Sequence, residues 1–339
     1  MKSGLSRRDF IRITAVGAGI LTFGGIGLHE ILKEPEVKTC TKTRLLLGTF
    51  VTIKAVDTNE SKARMAVKNT FDEIERLSGI MSRFDPGSQL YSLNKTGTIT
   101  GASQELVDVA KQALEYSELT NGAFDVTVLP MLELNRQSFA RYGSPPDSDY
   151  INQVKGLVDY RLIGLKGSDI TLGRTGASIT LDSIAKGYIV DMAAELLQRQ
   201  GDMDGVMVEA GGDMYLSGTR QDGNLWKIGI AHPRSDSDYW GAVSYSNGAM
   251  ATSGDYESAL TGDYSYHHII DPRAGMSPLE LSSATVLAGN TAYADALATA
   301  CIVMGRDEAL AMIEKLPGVE ALLIDKDMKD YRTSGFPAV

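Results

Sequence analysis

Apolar residues recur at helical intervals across residues 61–80, where Met65, Ala66, Phe71, Ile74, Leu77 and Ile80 are separated by charges, and the run predicts an amphipathic helix. Residues 105–120 repeat the pattern, with Ser103 placed to cap the helix and Asn121-Gly122 to stop it. Further helices are expected over 184–200, closed by Gly201, over the alanine-rich 293–304, and over 307–316. Residues 45–56 are rich in β-branched side chains around Gly48-Thr49 and predict a strand. Short strands are expected at 124–128, 206–209, 226–230, 242–246, 268–271, 284–287 and 321–324, with a hairpin over 170–180. Asp85-Pro86-Gly87 marks a loop that runs from Met81 to near Asn94. The polar stretch 136–149 reads as a surface loop that could separate two lobes. Helices and strands mix without regular βαβ alternation, so the expected class is α+β, with mixed or antiparallel sheets and packed helices.

Composition changes this picture little: 339 residues, 43% hydrophobic and 22% charged, supply ample core for a globular chain. Charge changes it more. The net charge is −10 and the basic residues do not cluster beyond the first dozen positions, which argues against nucleic acid as a partner. An acidic chain that holds a polyanion must rely on local donors or on a metal ion.

The first 40 residues read as an address and linker, and residues 41–339 as the functional domain. Ser6-Arg7-Arg8-Asp9-Phe10-Ile11-Arg12 is the twin-arginine pattern, followed by a glycine-rich apolar run over 13–28. That run is short for a membrane span of about 20 residues. The expectation is export by the twin-arginine route to the periplasm, with retention as an inner-membrane anchor left open because no Ala-x-Ala site ends the run. Cys40 follows Val37-Lys38-Thr39, where a lipoprotein signal would carry small or apolar residues; Cys301 sits in an apolar helix as an inert thiol.

Several polar clusters interrupt apolar sequence and carry chemistry. Asp295 and Thr299 are one helical turn apart, so both oxygens face one side and suit Mg²⁺, which takes few protein ligands. On spacing alone the same pair reads more readily as a solvated Asp and a Thr bonded back to its own helix, and only its context points to a metal. Lys186 lies at a helix start, where free N–H groups favour an anion. Glu209-Ala210-Gly211-Gly212-Asp213 leaves a strand through a glycine pair, which either forms a hairpin or lets backbone approach a diphosphate. His267 and His268 must face opposite sides of a strand, so one can face a cleft. No GxGxxG or P-loop pattern is present.

Taken in order, Gly48-Thr49, Met81-Ser82-Arg83-Phe84-Asp85-Pro86, Gly122-Ala123-Phe124-Asp125-Val126, Ile184-Ala185-Lys186-Gly187-Tyr188 with Asp191, Gly211-Gly212-Asp213, His232-Pro233, Thr252-Ser253-Gly254-Asp255-Tyr256, His268-Ile269-Ile270-Asp271-Pro272-Arg273 and Asp295-Ala296-Leu297-Ala298-Thr299 resemble the ApbE family of FAD:protein FMN transferases. The resemblance implies an exported, Mg²⁺-dependent enzyme that moves FMN from FAD onto a Thr or Ser hydroxyl of a partner protein and releases AMP. Acceptors would be flavoprotein subunits of membrane or periplasmic electron-transfer systems.

Carried over by motif, Asp295, Thr299 and the Ala185 carbonyl would ligate the metal, and His268, with Asp255 beside it, would be catalytic. Met81, Phe84, Phe124, Asp125, Lys186, Glu209, Gly211, Gly212, Asp213, Ser253 and Arg273 would bind FAD, with Phe84 near the flavin ring. The sequence departs from the family pattern at Leu181-Asp182-Ser183, at Phe84 and at Ala274. Thr175-Gly176-Ala177-Ser178 and Thr100-Gly101-Ala102-Ser103 resemble acceptor cores but read as ordinary small-residue turns. Two other readings stand beside the transferase one: a periplasmic FAD-binding protein without turnover, which would need none of His268, Asp295 and Thr299, and a hydrolase yielding FMN and AMP, which shares every residue with the transferase.

Overall fold

The computed structural model describes residues 37–200, 203–235 and 237–339. The twin-arginine motif, the apolar run after it and the expected stop at Gly201 lie outside the described residues.

The chain opens with a hairpin of β1 (Lys38–Leu46) and β2 (Thr49–Asp57). The single strand expected over 45–56 is therefore a pair, turned at Leu47 and Gly48, both with positive φ. β1 begins inside the segment set apart as linker, and Cys40 is buried within it.

Helix α1 (Glu60–Met81) follows, with Ala63, Val67, Phe71, Ile74 and Leu77 on its buried face, as its period demands. The 81–94 loop is shorter than expected, because Ser88 caps a further helix, α2 (Gln89–Thr96), which Gly97 ends in the left-handed conformation. After β3 (Thr98–Ile99), helix α3 (Gln104–Leu119) is capped by Ser103 as the sequence indicated.

Residues 124–128 are not a strand. The Asp125 carboxylate accepts the Thr127 N–H at 2.8 Å and closes a 3₁₀ turn over Val126–Val128. The polar stretch 136–149 is mostly helix: α4 (Leu129–Tyr142) starts with Pro130 in its first turn and stops at Gly143, and α5 (Ser148–Lys155) follows. The hairpin expected over 170–180 lies earlier, between β4 (Ile163–Lys166) and β5 (Asp169–Leu172), which with β3 form a small sheet.

Next come α6 (Ala185–Arg199), β6 (Gly205–Ala210), β7 (Asp213–Gly218), β8 (Trp226–Ala231), β9 (Tyr239–Tyr245), β10 (Gly248–Gly254) and β11 (Leu281–Ala288). Helices α7 (Thr291–Met304) and α8 (Arg306–Ile313) and strands β12 (Glu320–Asp325) and β13 (Asp330–Arg332) complete it. Residues 268–271 form no strand; nearby, only an isolated bridge joins Ala259 to His267.

Eight strands make one sheet in the order β1-β2-β6-β7-β10-β11-β12-β13, every neighbouring pair antiparallel. Successive residues alternate between its faces. Val51, Ile53, Val208, Ala251 and Val286 join the core that α1, α6 and α7 cover. Met207, Met214, Leu216 and Leu287 face the other way, under the β8–β9 pair with Trp226 and Val243. Phe71 is 1% exposed at the centre of the helical layer, and its truncation to Ala should cost about 3–5 kcal/mol. No helix among the described residues is long and apolar enough to cross a membrane.

Candidate functional site

The site is built where two helices cross over one end of the large sheet. The α6 helix starts as the Ala185 N–H turns back to the Leu181 carbonyl at 2.7 Å. The α7 helix starts at Asn290, whose side chain accepts the Tyr293 N–H at 2.9 Å. They meet at Gly187, where a Cβ would stand 2.5 Å from the Thr291 carbonyl oxygen, so only glycine permits the approach. Alanines along α7 keep that helix thin enough to be almost wholly buried.

Asp295, 5% exposed, accepts the Gly187 N–H at 3.3 Å, which places its carboxylate at the positive end of α6. Thr299 lies one turn further on and shares a 3.0 Å hydrogen bond with Ser253 at the end of β10. Lys186 reaches from the first turn of α6 to within 2.9 Å of Asp213 Oδ2 at the start of β7. That buried oxygen has no well-formed hydrogen bond, so the pair is held by charge.

Burial pushes the Asp295 carboxyl well above its usual range, the Asp213 charge adds to this, and Lys186 opposes it. Burial likewise raises Asp213 against the pull of Lys186. Burial alone would lower Lys186, but the two carboxylates outweigh it and hold the ammonium charged. With both carboxylates ionised the group carries two negative charges and one positive. Among the described residues no three His, Cys, Asp or Glu converge as a metal cluster, so a cation here would rely on mixed oxygen donors.

Two cavities adjoin this cluster and share Arg83, Phe84 and Asp182 as a common wall. One, of about 430 Å³, is lined by Met81, Ala185 and Lys186. The other, of about 590 Å³, is lined by Phe124, Asp125, His268 and Thr299 with the apolar Leu132, Leu260 and Ile270. Arg83 donates to Asp182 at 2.9 Å and lies 4.0 Å over the Phe84 ring, which is 68% exposed.

His268 is the histidine that faces a cavity. Its Nδ1 has no hydrogen-bond partner, and burial, with the neighbouring His267, lowers its pKa to about 4, so it is neutral at pH 7. His267 points the other way and is fully buried, with Nε2 3.1 Å from the Pro278 carbonyl. The opposed orientation expected of adjacent strand residues is therefore found in a loop.

Other expected site residues have different surroundings. Asp255 is fully buried, its two oxygens each 2.7 Å from the Arg234 guanidinium and one also bound by Lys326, so its carboxylate is held between two cations and is closed to solvent. These cations tie the end of β10 to the segments that carry Arg234 and Lys326. Gly211 and Gly212, both with positive φ, form a two-residue turn between β6 and β7, and the Gly212 N–H is held by Glu209 at 2.8 Å. A Cβ on Gly211 would come within 2.8 Å of Thr49 Oγ1, so the turn itself accounts for that glycine. The Asp125 carboxylate is taken by Thr127 and by the Tyr160 N–H. Arg273 lines neither of the two cavities; it pairs with Asp271 at 3.0 Å beside a separate hollow of about 450 Å³.

Arg83, Asp182, Asp191, Arg234 and Lys326 join the surroundings of the site without a role that the sequence announces. Arg83 and Asp191 stood inside the quoted motifs. Arg234 and Lys326 have no local pattern, since their partner Asp255 is 21 and 71 residues away.

This cleft, set at the end of an antiparallel sheet beneath two crossed helices, belongs to a known architecture. The chain is a member of the ApbE family, whose sequence model matches residues 47–323. Among its relatives, the FAD:protein FMN transferase of Vibrio cholerae is 31% identical over 300 residues, 86% of this chain and 89% of that protein. The FAD:protein FMN transferase of Treponema pallidum is 26% identical over 94% of this chain and 93% of its own. The solved ApbE protein of Thermotoga maritima superposes with a TM-score of 0.79 at 28% identity, covering 88% of this chain and 97% of that one. The solved flavin transferase ApbE from Vibrio cholerae gives 0.75 at 29% identity, covering 88% and 98%.

Proposed function

We propose that this chain is a Mg²⁺-dependent FAD:protein FMN transferase that acts on a Thr or Ser hydroxyl. The observation that carries the reading is the Lys186–Asp213–Asp295 cluster, a buried set one positive charge short, opening between two cavities of which one presents a neutral histidine.

The residues fit a hard divalent cation. Asp295, Thr299 and the Ala185 carbonyl offer oxygen donors only, and Asp213 adds an incompletely bonded buried oxygen close by. When bound there, Mg²⁺ supplies Lewis-acid neutralisation of diphosphate charge. Lys186 adds a fixed positive charge beside it, and Phe84 offers an exposed ring for flavin stacking at the mouth of both cavities.

His268, neutral at pH 7, accepts the proton of the acceptor hydroxyl. That oxygen forms a new bond to the FMN-side phosphorus, the bond from this phosphorus to the bridging oxygen breaks, and AMP leaves with the bridging oxygen and its electron pair. Asp255, locked by Arg234 and Lys326, fixes the end of β10, from which Ser253 meets Thr299. Export by the twin-arginine route, on the motif at residues 6–12, would place the enzyme in the periplasm beside electron-transfer flavoproteins as acceptors, released or held by its apolar segment.

The test is mass spectrometry of a domain or peptide carrying a Ser/Thr-Gly-Ala-Ser/Thr core after incubation with FAD, Mg²⁺ and this protein. Covalent FMN on the hydroxyl supports transfer. Free FMN and AMP without an adduct move the assignment to hydrolysis, and neither product leaves an FAD-binding protein.

A further inference from the structure

Asp191 lies in the second turn of α6, on the same helix as Lys186 and Ala185, and forms no ion pair among the described residues. Its two carboxylate oxygens instead accept the Thr291 N–H at 2.7 Å and the Ala292 N–H at 2.9 Å. Those are free donors in the first turn of α7, where the helix macrodipole favours a negative charge. Asp295 does the converse, reaching from the second turn of α7 to the Gly187 N–H in the first turn of α6 at 3.3 Å. Each helix thus caps the start of the other with a carboxylate, four residues beyond its own point of crossing. Between the two caps the backbones touch at Gly187, with a virtual Cβ 2.5 Å from Thr291 O and 2.7 Å from Ala292 Cα.

The two carboxylates are not equivalent. Asp295 sits beside Lys186 and Asp213, in the cation donor set, whereas Asp191 has backbone amides as its partners and lies near Tyr116 from α3, whose ring packs 4.9 Å from that of Tyr293 on α7. An oxygen donor set split between two helices holds a cation only while the helices keep their offset. With Asp295 committed to a cation, Asp191 and the Gly187 contact remain to fix that offset.

We propose that Asp191 is a positioning residue for the cation site, clamping α7 onto α6 so that Asp295 and Thr299 on one helix and the Ala185 carbonyl on the other face a common point. This rests on the cation reading above. Partners that orient ligands without touching the metal typically contribute 10–100-fold to metal affinity.

The test measures Mn²⁺ binding to the full chain by electron paramagnetic resonance, together with FAD affinity and the unfolding midpoint in EDTA, for the wild type, Asp191→Ala and Asp191→Asn. Asp191→Ala should weaken Mn²⁺ binding by roughly tenfold or more. The FAD dissociation constant without metal should stay within about twofold. Asp191→Asn, which keeps one carbonyl acceptor, should fall between the two and serves alone if the Ala variant does not fold. A folded variant with wild-type Mn²⁺ affinity, its only change a lower midpoint in EDTA, overturns the role and leaves Asp191 a packing residue. Absence of Mn²⁺ binding by the wild type overturns the cation reading, and the role of Asp191 with it.

Discussion

Two buried charge clusters lie at the ends of strands in the same sheet, and they are balanced in opposite ways. Around Asp255, two cations, Arg234 and Lys326, meet one carboxylate, and Arg234 also donates to Ser282 at 2.8 Å. Around Lys186, one cation meets two carboxylates, Asp213 and Asp295. The first cluster is closed: each carboxylate oxygen has a charged partner, and the cations stay partly in water. The second is open, because removing two anions from water beside one cation leaves a deficit that only a proton or a bound cation can fill. A buried carboxylate is therefore not informative by itself; the count of neutralising partners separates scaffold from site.

The sharpest break between the clusters is in catalysis. Asp295→Ala should abolish transfer, by about 10³-fold or more if the bound cation supplies several kcal/mol of charge stabilisation. Retained turnover in that variant, measured as AMP release, would refute the metal assignment. His268→Ala should lower transfer by roughly 10²–10⁴-fold while leaving FAD affinity unchanged, the range for loss of a positioned base. Because the His268 pKa is lowered to about 4, kcat measured at saturating Mg²⁺ should lack an acid limb near pH 6.5. A limb at 6.5 would place the imidazole in a more exposed or ion-paired state than the structure has.

Asp255→Asn should break the closed cluster and act on stability first. It strands Arg234 and Lys326 against each other, and for cations that are mostly buried but still touch water about 2–3 kcal/mol should be lost in denaturant unfolding. An unchanged midpoint would show that water screens the pair completely and that the cluster does no structural work.

How far the sequence reveals this contrast depends on what kind of partner each residue has. Helices α1 and α3 were legible because their apolar faces repeat and Ser103 caps the second in its local sequence. Strands β7 and β10 were not, since Asp213–Gly218 and Gly248–Gly254 are short, carry glycine and have few β-branched residues. The α4 helix was hidden inside a polar stretch because its outer face is solvated and its start depends on Pro130. Asp295 and Thr299 were legible as a pair on one face; that they lie against Lys186 and Asp213 was not, because these residues meet only through the fold. Asp191 was invisible as a clamp, because its partners are backbone amides, which no side-chain pattern announces.

The smallest effect is the most discriminating. Removing the charge of Asp295 should leave Lys186 and Asp213 as a balanced pair, so Asp295→Asn should stabilise the metal-free protein by about 1 kcal/mol, opposite in sign to Asp255→Asn. The pH dependence follows from the same deficit. Burial and the charge of Asp213 raise the folded-state pKa of Asp295 well above its ordinary value of 3.8, so its ionisation opposes folding. Its contribution is fully present below the unfolded pKa and is lost as pH rises above that range. Unfolding in EDTA should therefore show wild-type stability falling as pH rises from about 4 towards neutrality, with a smaller slope in Asp295→Asn. Saturating Mg²⁺ should remove most of the difference, because a cation fills the deficit that ionisation creates. A wild-type slope in EDTA no steeper than that of Asp295→Asn over that interval would mean that Lys186 already neutralises both carboxylates, and the open cluster would then be closed like its counterpart.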